Sequence, residues 1–266
     1  MSGTVYLVGA GPGAADLLTL RAARLLARAD IVFHDALVHR ETLAIAARAE
    51  KVEVGKRSGR LSTAQNFINK RLADAARKHR VVVRLKGGDP MLFGRAHEEL
   101  AYLKKLGIKA VVVPGVTAAL AAAAELQTSL TQRGRARSVA FVTPRVGAGQ
   151  PESSWVKAAL AADTVAIYMG AGEAAAISRA LIAAGKPRAT PVAVIEDASL
   201  PQSRRSHGTL AELEKVAANG SGGASLVLIG EVFGESAIIE AWQREQSSSS
   251  PTARATRTGR ARSASS

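Results

Sequence analysis

A loop of two glycines and an aspartate follows an apolar run in this chain of 266 residues, and its residue types suit ligand binding. Gly87, Gly88, Asp89 and Pro90 directly follow the run Val-Val-Val-Arg-Leu-Lys at 81–86. Glycines clear side chains from a place where a ligand can approach the backbone, and the carboxylate can accept hydrogen bonds from an amine or a ribose. An Asp-Pro turn that begins the next helix explains the same four residues equally well.

A second glycine loop, Gly-Ala-Gly-Pro-Gly at 9–13, lies between an apolar run and a helical segment. Gly9, Gly11 and Ala14 match the spacing of a dinucleotide-binding loop, in which the amides of a helix amino terminus bind phosphate. Pro12 removes one of those amide donors. A tight strand-to-helix turn is therefore an interpretation of equal weight, and this loop by itself does not decide the function.

Several other catalytic classes are excluded by the sequence. Gly55 and Lys56 do not form a P-loop, because Glu50 and Arg57 occupy the positions that require glycine and serine or threonine. The five histidines form no zinc-binding His-Glu-x-x-His pattern, and we expect no metal site. The chain contains no cysteine, which excludes thiolate catalysis, and no Gly-x-Ser-x-Gly motif of a serine hydrolase.

The composition is that of a globular protein with a strong positive charge. Hydrophobic residues make up 47% of the chain, and no apolar run reaches the roughly 18 residues of a membrane span. The first residues lack the basic and apolar regions of a signal peptide, so we expect a cytoplasmic protein. The net charge is +14, and four of these charges lie in a Ser- and Arg-rich tail at 246–266 that we expect to be disordered. Such a charge predicts a polyanionic partner, either nucleic acid or a small molecule with many carboxylates.

Two α/β domains are predicted to position these loops. In residues 1–115, strand-like runs alternate with helical segments, which is typical of a parallel sheet covered on both faces, and we expect Asp16 to cap the first helix. The five runs lie at 4–9, 31–35, 51–55, 81–86 and 110–114. Residues 116–245 contain further strands, and the turn Asp-Ala-Ser-Leu-Pro-Gln at 197–202 predicts a hairpin and hence a mixed sheet. Since ligands bind at the carboxyl ends of parallel strands, we expect a cofactor cleft between the two domains.

Taken together, in order and spacing over residues 4–234, the loops of this chain resemble those of the tetrapyrrole methyltransferases that use S-adenosylmethionine. The matching stretches include HDALV at 34–38, VGKRSG at 54–59, VVRLKGGDPMLFGR at 82–95, VPGVTAALAAAA at 113–124, SLTQRG at 129–134, FVTPR at 141–145 and IEDASLPQSR at 195–204. The resemblance implies two α/β domains with the cofactor between them, and a homodimer. The stretches are most similar to those of members that methylate carbons 2 and 7 of uroporphyrinogen III to give precorrin-2, which feeds sirohaem or cobalamin synthesis.

The resemblance also implies roles for individual residues. Asp35 corresponds to the family's proposed proton acceptor and Lys56 to its proposed proton donor. The residues implied to line the site of S-adenosylmethionine, or of its product S-adenosylhomocysteine, are Pro12, Gly87, Gly88, Asp89, Leu92, Thr117, Ala118, Met169 and Ala198. We expect Arg133 and Arg145 to bind the carboxylates of the substrate, because arginine forms paired hydrogen bonds with a carboxylate. Relatives commonly have glycine at the position of Ala198, and often histidines near the two arginines.

Three other functions remain open on the sequence alone. A methyltransferase that acts on a later precorrin would share the fold, although the HDALV, VGKR and IEDASLP stretches favour the early step. An RNA ribose methyltransferase would suit the basic tail, but those relatives have Ala-Glu-Asp-Thr-Arg where this chain has Phe-His-Asp-Ala-Leu at 33–37. A non-enzymatic tetrapyrrole- or nucleic-acid-binding protein would have no affinity for the cofactor.

Overall fold

The computed structural model describes residues 2–54, 61–146 and 153–234, which form two five-stranded sheets flanked by helices. The strands of the first sheet are β1 (Thr4–Gly9), β2 (Ile31–His34), β3 (Glu50–Glu53), β4 (Val81–Lys86) and β5 (Ala110–Val113). Their order is β3-β2-β4-β1-β5, and every neighbouring pair is parallel. The predicted parallel sheet of five strands is confirmed. The predicted tail at 246–266 lies outside the described residues.

Helices cover both faces of the first sheet. They are α1 (Leu20–Ala27), α2 (Arg40–Ile45), α3 (Leu61–Lys78) and α4 (Ala96–Lys105). Helices α3 and α4 contribute Leu72 and Leu103 to the core on one face, where Val82 of β4 also lies. Val83 and Leu85 belong to the core on the opposite face, with α1. Because side chains alternate along a strand, the charged residues of β4 at 84 and 86 must lie on the α3 and α4 side.

The first helix begins later than predicted, and the expected cap at Asp16 is wrong. Residues Ala15–Leu17 form a short 3-10 turn, and α1 starts at Leu20. Thr19 is the cap, because its hydroxyl accepts a hydrogen bond from the amide of Ala22 at 3.2 Å. The extra turn lengthens the connection after β1 and leaves room there for the glycine loop.

The second sheet is mixed, as predicted. Its strands are β6 (Val139–Val142), β7 (Thr164–Tyr168), β8 (Pro191–Glu196), β9 (Arg204–Thr209) and β10 (Ser225–Ile229), in the order β6-β7-β10-β8-β9. Only the β6–β7 pair is parallel among these described strands. Helix α5 (Ala118–Glu125) packs on one face through small alanines, and the other face is covered by α6 (Trp155–Ala161), α7 (Ala174–Ala183) and α8 (Leu213–Ala218). No helix within the described residues has the length and apolar character needed to cross a membrane.

Candidate active site

The two glycine loops pair with each other at the carboxyl edge of the first sheet. Gly88 donates its amide hydrogen to the carbonyl of Gly11 at 2.7 Å, and Gly11 donates to the carbonyl of Gly88 at 3.2 Å. Their φ angles are +65° and +74°, which glycine adopts without strain. The loops after β1 and β4 therefore form one unit.

Close backbone packing explains the glycines of the first loop. A Cβ atom on Gly9 would lie 2.6 Å from the Cα atom of Gly115, which follows β5. A Cβ atom on Gly13 would lie 2.8 Å from Cγ of Leu200, in the second half of the chain. Both distances are too short for a side chain, so these positions are restricted by contact between loops, independently of any phosphate.

Both oxygens of Asp89 bind backbone amides. Oδ1 accepts a hydrogen bond from Met91 at 2.8 Å, which is the turn expected of an Asp-Pro sequence. Oδ2 accepts a hydrogen bond from Gly115 at 2.9 Å. Asp89 thus holds the loop after β4 against the loop after β5, and this arrangement aligns Gly87 and Gly88 with the start of α5.

Thr117 and Tyr168 link the start of α5 to the end of β7. Their hydroxyl oxygens lie 2.6 Å apart, and the amide of Ala119 donates to the Tyr168 hydroxyl at 3.2 Å. Burial raises the pKa of Tyr168, which the two hydrogen bonds only partly oppose. Met169 follows with a φ of +57° and 43% of its surface exposed. Such a conformation is strained for methionine, and Met169 directly follows the tyrosine that contacts Thr117.

Aromatic rings extend this group toward the loop after β4. The ring of Phe93 lies 5.1 Å from that of Tyr168, and the ring of Phe141 lies 6.1 Å away on β6. Leu92 precedes Phe93 in the turn that Asp89 holds, since its amide donates to the Asp89 carbonyl at 3.3 Å. Residues from both sheets therefore meet around Tyr168.

The turn that carries Ala198 packs on the first glycine loop. Ala198 is 6% exposed, and its carbonyl lies 3.2 Å from the position of a Cβ atom on Gly13. The amide of Ala14 donates a hydrogen bond to the hydroxyl of Ser199 at 2.9 Å. Pro12 is partly exposed and lies in this first glycine loop, on which the turn of Ala198 packs. Hydrogen bonds and close contacts thus join the loops that carry Pro12, Gly88, Thr117, Met169 and Ala198.

Asp35, directly after β2, is paired with a buried arginine. Nη2 of Arg84 donates a hydrogen bond to Oδ1 of Asp35 at 2.5 Å, and the Asp35 side chain is 29% exposed. Burial would lower the pKa of Arg84, but the carboxylates of Asp35 and Glu99 outweigh burial and raise it. Arg84 is thus a permanent cation beneath Asp35.

A second ion pair lies at the start of α4. Nε and Nη2 of Arg95 donate to the two carboxylate oxygens of Glu98 at 2.7 and 2.8 Å. This paired bond raises the pKa of Arg95 and lowers that of Glu98. Arg95 has a φ of +55° at the end of the loop that begins with Gly87.

The two predicted substrate residues are exposed in the described part of the chain. Lys56 lies outside the described residues. Arg133 is exposed in a turn closed by Gln132 and Ala136, and Arg145 is exposed beyond β6. A groove of about 490 Å³ lies between α5 and β6. Its lining includes Thr131 and Phe141, which are close in sequence to Arg133 and Arg145 respectively. The roles of Arg133 and Arg145 stay predictions.

Sequence reasoning missed Tyr168, Arg84 and Glu99. The signal for the two charged residues was present, because Arg84 interrupts an apolar strand and a charge in such a place requires a partner. Tyr168 carried no such signal, since its hydroxyl partner lies 51 residues away in the chain.

The backbone beside Gly88 is accessible to a ligand. A Cβ atom on Gly88 would meet nothing closer than Cα of Thr117 at 3.9 Å, so the space beside this backbone is open. Thr117 borders this space, and its hydroxyl oxygen lies 2.6 Å from that of Tyr168. Within the described ranges, His, Asp and Glu side chains form no group of three that could hold a metal ion.

Comparison with known proteins places these features in one family. The sequence pattern of the Tetrapyrrole (Corrin/Porphyrin) Methylases matches residues 4–214. The siroheme synthase of Chromobacterium violaceum is 43% identical over 253 residues, which are 94% of this chain and 54% of that protein. The chain thus spans about half the length of the siroheme synthases that it matches. The uroporphyrinogen-III C-methyltransferase of Synechocystis sp. is 43% identical over 87% of this chain and 90% of its own length.

Solved structures give the same result for the fold. The uroporphyrin-III C-methyl transferase of Thermus thermophilus complexed with S-adenyl homocysteine has a TM-score of 0.76 and 41% identity, over 86% of this chain and 98% of that one. The cobalamin biosynthetic enzyme cobalt precorrin-4 methyltransferase also has a TM-score of 0.76, at 28% identity over 86% of this chain and 95% of that one.

Proposed function

The chain belongs to the tetrapyrrole (corrin/porphyrin) methylase family, and we propose that it is a uroporphyrinogen-III C-methyltransferase. In this proposal it transfers methyl groups from S-adenosylmethionine to carbons 2 and 7 of uroporphyrinogen III. The product is precorrin-2, formed through precorrin-1, and it feeds sirohaem or cobalamin synthesis.

The observation that carries the proposal is the contact between the loops of the two sheets around Tyr168 and Ser199, together with the similarity to a uroporphyrinogen-III C-methyltransferase. The Synechocystis methyltransferase is 43% identical to this chain, and the match covers 90% of its length. The Thermus relative, titled as a complex with S-adenyl homocysteine, shares 41% identity over nearly its whole length. Identity falls to 28% for the cobalt precorrin-4 enzyme, which favours the early substrate over a later precorrin.

The loops at the cleft are suited to S-adenosylmethionine, which supplies an electrophilic methyl group on a sulfonium ion. Gly87 and Gly88 give backbone access, and the Thr117 hydroxyl offers a hydrogen-bond partner. Pro12, Leu92, Ala118, Met169 and Ala198 provide the remaining walls. Asp89 acts by holding these loops in place, and each of its oxygens retains a second lone pair for the ligand.

Chemistry at the substrate requires orientation and one proton acceptor. The attacked ring carbon is an electron-rich nucleophile, so the residues of the cleft have mainly to align it with the methyl group. Methylation leaves the ring cationic, and Asp35 accepts the proton that the ring then loses. Lys56 is proposed as the proton donor. Arg133 and Arg145 bind acetate or propionate carboxylates of a macrocycle that lies along the groove beside Phe141.

We further propose that residues 1–115 and 116–245 are the two domains and that the enzyme is a cytoplasmic homodimer. The strands of the first sheet end at Val113, and α5 packs against the second sheet. Light scattering on the purified full chain tests the dimer, since a monomer mass would contradict it.

Two measurements test the activity. Calorimetry should detect binding of S-adenosylhomocysteine, which a non-enzymatic binding protein would lack. Anaerobic incubation with uroporphyrinogen III and S-adenosylmethionine should yield a dimethylated product, identified by mass and absorbance. A protein that binds the cofactor but methylates only a later precorrin would contradict the substrate assignment.

A further inference from the structure

A group of buried charges lies directly beneath Asp35. Arg84 and Lys86 project from β4, and Glu99 projects from α4. Their exposed fractions are 2%, 4% and 0%. Charges buried to this degree lose their hydration, and they persist only where partners and hydrogen bonds replace it.

The guanidinium of Arg84 is fixed from three directions. Nε donates to Oε1 of Glu99 at 3.1 Å, and Nη1 donates to the carbonyl of Leu85 at 3.3 Å. Nη2 donates to Oδ1 of Asp35 at 2.5 Å. The bonds to Glu99 and Leu85 fix the orientation of this planar group, so the third bond, to Asp35, defines where the Asp35 carboxylate lies.

Glu99 is itself anchored by residues other than Arg84. Gln65 on α3 donates to its Oε1 at 3.1 Å, and Nζ of Lys86 lies 3.2 and 3.3 Å from its two oxygens. Glu99 therefore has two partners besides Arg84 that hold its carboxylate. The chain of contacts runs from Gln65 on α3 and Glu99 on α4 through Arg84 to Asp35, in the loop after β2.

The two oxygens of Asp35 are consequently unequal. Oδ1 receives the Arg84 hydrogen bond, while Oδ2 has no hydrogen bond within the described residues, and the side chain is partly exposed. We infer that Arg84, locked by Glu99, is a positioning residue that holds Asp35 so that Oδ2 receives the proton from the methylated ring. The ring C–H bond breaks, its electron pair returns to the ring, and the proton forms a new O–H bond on Oδ2 and later passes to water.

This inference rests on the proposed function, in which Asp35 is the proton acceptor. The competing explanation is that Arg84 serves only to neutralise the buried carboxylate of Glu99. The two differ in one respect: a residue that acts through Asp35 loses its influence on turnover once Asp35 cannot accept a proton.

A double-mutant cycle measures that difference. Arg84→Met should lower kcat by about 10- to 100-fold, because the carboxylate is no longer oriented, with KM for uroporphyrinogen III and Kd for S-adenosylhomocysteine within about twofold of wild type. Asp35→Asn should lower kcat by about 100-fold or more. In the Asp35→Asn background, Arg84→Met should change kcat by less than about twofold. Arg77→Met, which removes the exposed partner of Asp74, is the matched control.

Arg84→Lys gives a second cycle that avoids the loss of a buried charge. A single ammonium cannot contact Glu99 and Asp35 in the geometry of the guanidinium, so kcat should fall by about fivefold and only when Asp35 is present. The inference is overturned if either substitution at Arg84 slows the Asp35→Asn enzyme as much as the wild type. If Asp35→Asn leaves kcat unchanged, the proton acceptor is misassigned and the inference falls with it. Wild-type protein that binds S-adenosylhomocysteine but gives no dimethylated product instead overturns the proposed function itself.

Discussion

The amide of Ala14 donates a hydrogen bond to the hydroxyl of Ser199, and this bond joins the first glycine loop to the turn that carries Ala198. Ser199 donates its own amide to the carboxylate of Glu125 at the end of α5. Ser203 donates its hydroxyl to the other oxygen of that carboxylate at 2.5 Å. This series of hydrogen bonds, a relay from Ala14 through Ser199 to Glu125, thus connects the loop after β1 to α5 on the second sheet, at the proposed cofactor site.

Removing the hydroxyl of Ser199 should loosen this connection. Ser199→Ala leaves the Ala14 amide without its acceptor, so we expect the free energy of unfolding to fall by about 1 kcal/mol. The affinity for S-adenosylhomocysteine should fall by about threefold, as measured by calorimetry. Ser154→Ala, at an exposed position before α6, is the control. Unchanged affinity and stability would show that the relay does not support the site.

Asp89 should affect cofactor binding through the loops that it joins. Asp89→Ala removes the acceptor of both the Met91 and Gly115 amides, and we expect S-adenosylhomocysteine to bind about tenfold more weakly. Asp89→Asn keeps one acceptor oxygen and should give an intermediate affinity. Binding of wild-type strength by the alanine variant, in titrations at equal concentration, would contradict this role.

The backbone pattern was readable from sequence, whereas long-range side-chain pairs were not. The run at 81–86 forms β4 with the expected bounds, because its β-branched residues and the following glycines are local signals. The cap at Asp16 failed because Thr19, three residues on, competes for the same role. The partners of Arg84 are 49 and 15 residues away, at Asp35 and Glu99, and only the folded sheet brings them together.

Gly115 should tolerate no side chain. Gly115→Ala places a Cβ atom against the carbonyl of Gly88 and 2.8 Å from Cα of Gly9, both of them backbone groups that cannot rotate away. We expect a loss of about 2–3 kcal/mol in the free energy of unfolding by urea, with weaker S-adenosylhomocysteine binding. Gly172→Ala is the control, because a Cβ atom there meets nothing within 4 Å. Equal stability of the two variants would contradict the close packing.

Neutralising Lys86 and neutralising Glu99, the buried charges next to Arg84, should change the free energy of unfolding by different amounts. Burial and the nearby Arg84 lower the pKa of Lys86, with Glu99 opposing them in part. Lys86→Met removes a costly buried cation while Glu99 keeps Arg84 and Gln65, so the free energy of unfolding should change by less than about 1 kcal/mol. Glu99→Gln leaves the Lys86 ammonium without its carboxylate and should cost about 3 kcal/mol or more. Thermal and urea unfolding of both variants measure this order, and a larger loss for Lys86→Met than for Glu99→Gln would contradict it.

Glu196 should make stability depend on pH in the acid range. Burial would raise the pKa of Glu196, but hydrogen bonds donated by Ser221 and Gly223 outweigh it and lower the pKa below its ordinary value. A carboxylate with a lowered pKa in the folded state stabilises the fold above its unfolded pKa, and this contribution disappears as the pH falls through the folded pKa.

Glu196→Gln should therefore cost about 1–2 kcal/mol at about pH 7 and much less at about pH 3, measured by urea unfolding. Glu53→Gln, at an exposed position on β3, makes the same change of charge and is the control. A cost for Glu196→Gln that does not vary with pH would mean that the carboxylate is not the species that closes the turn before β10. In that case, the charge of Glu196 would contribute nothing to stability, and the loss would come from the contacts that its side chain makes with the amides of Ser221 and Gly223 whatever its protonation state.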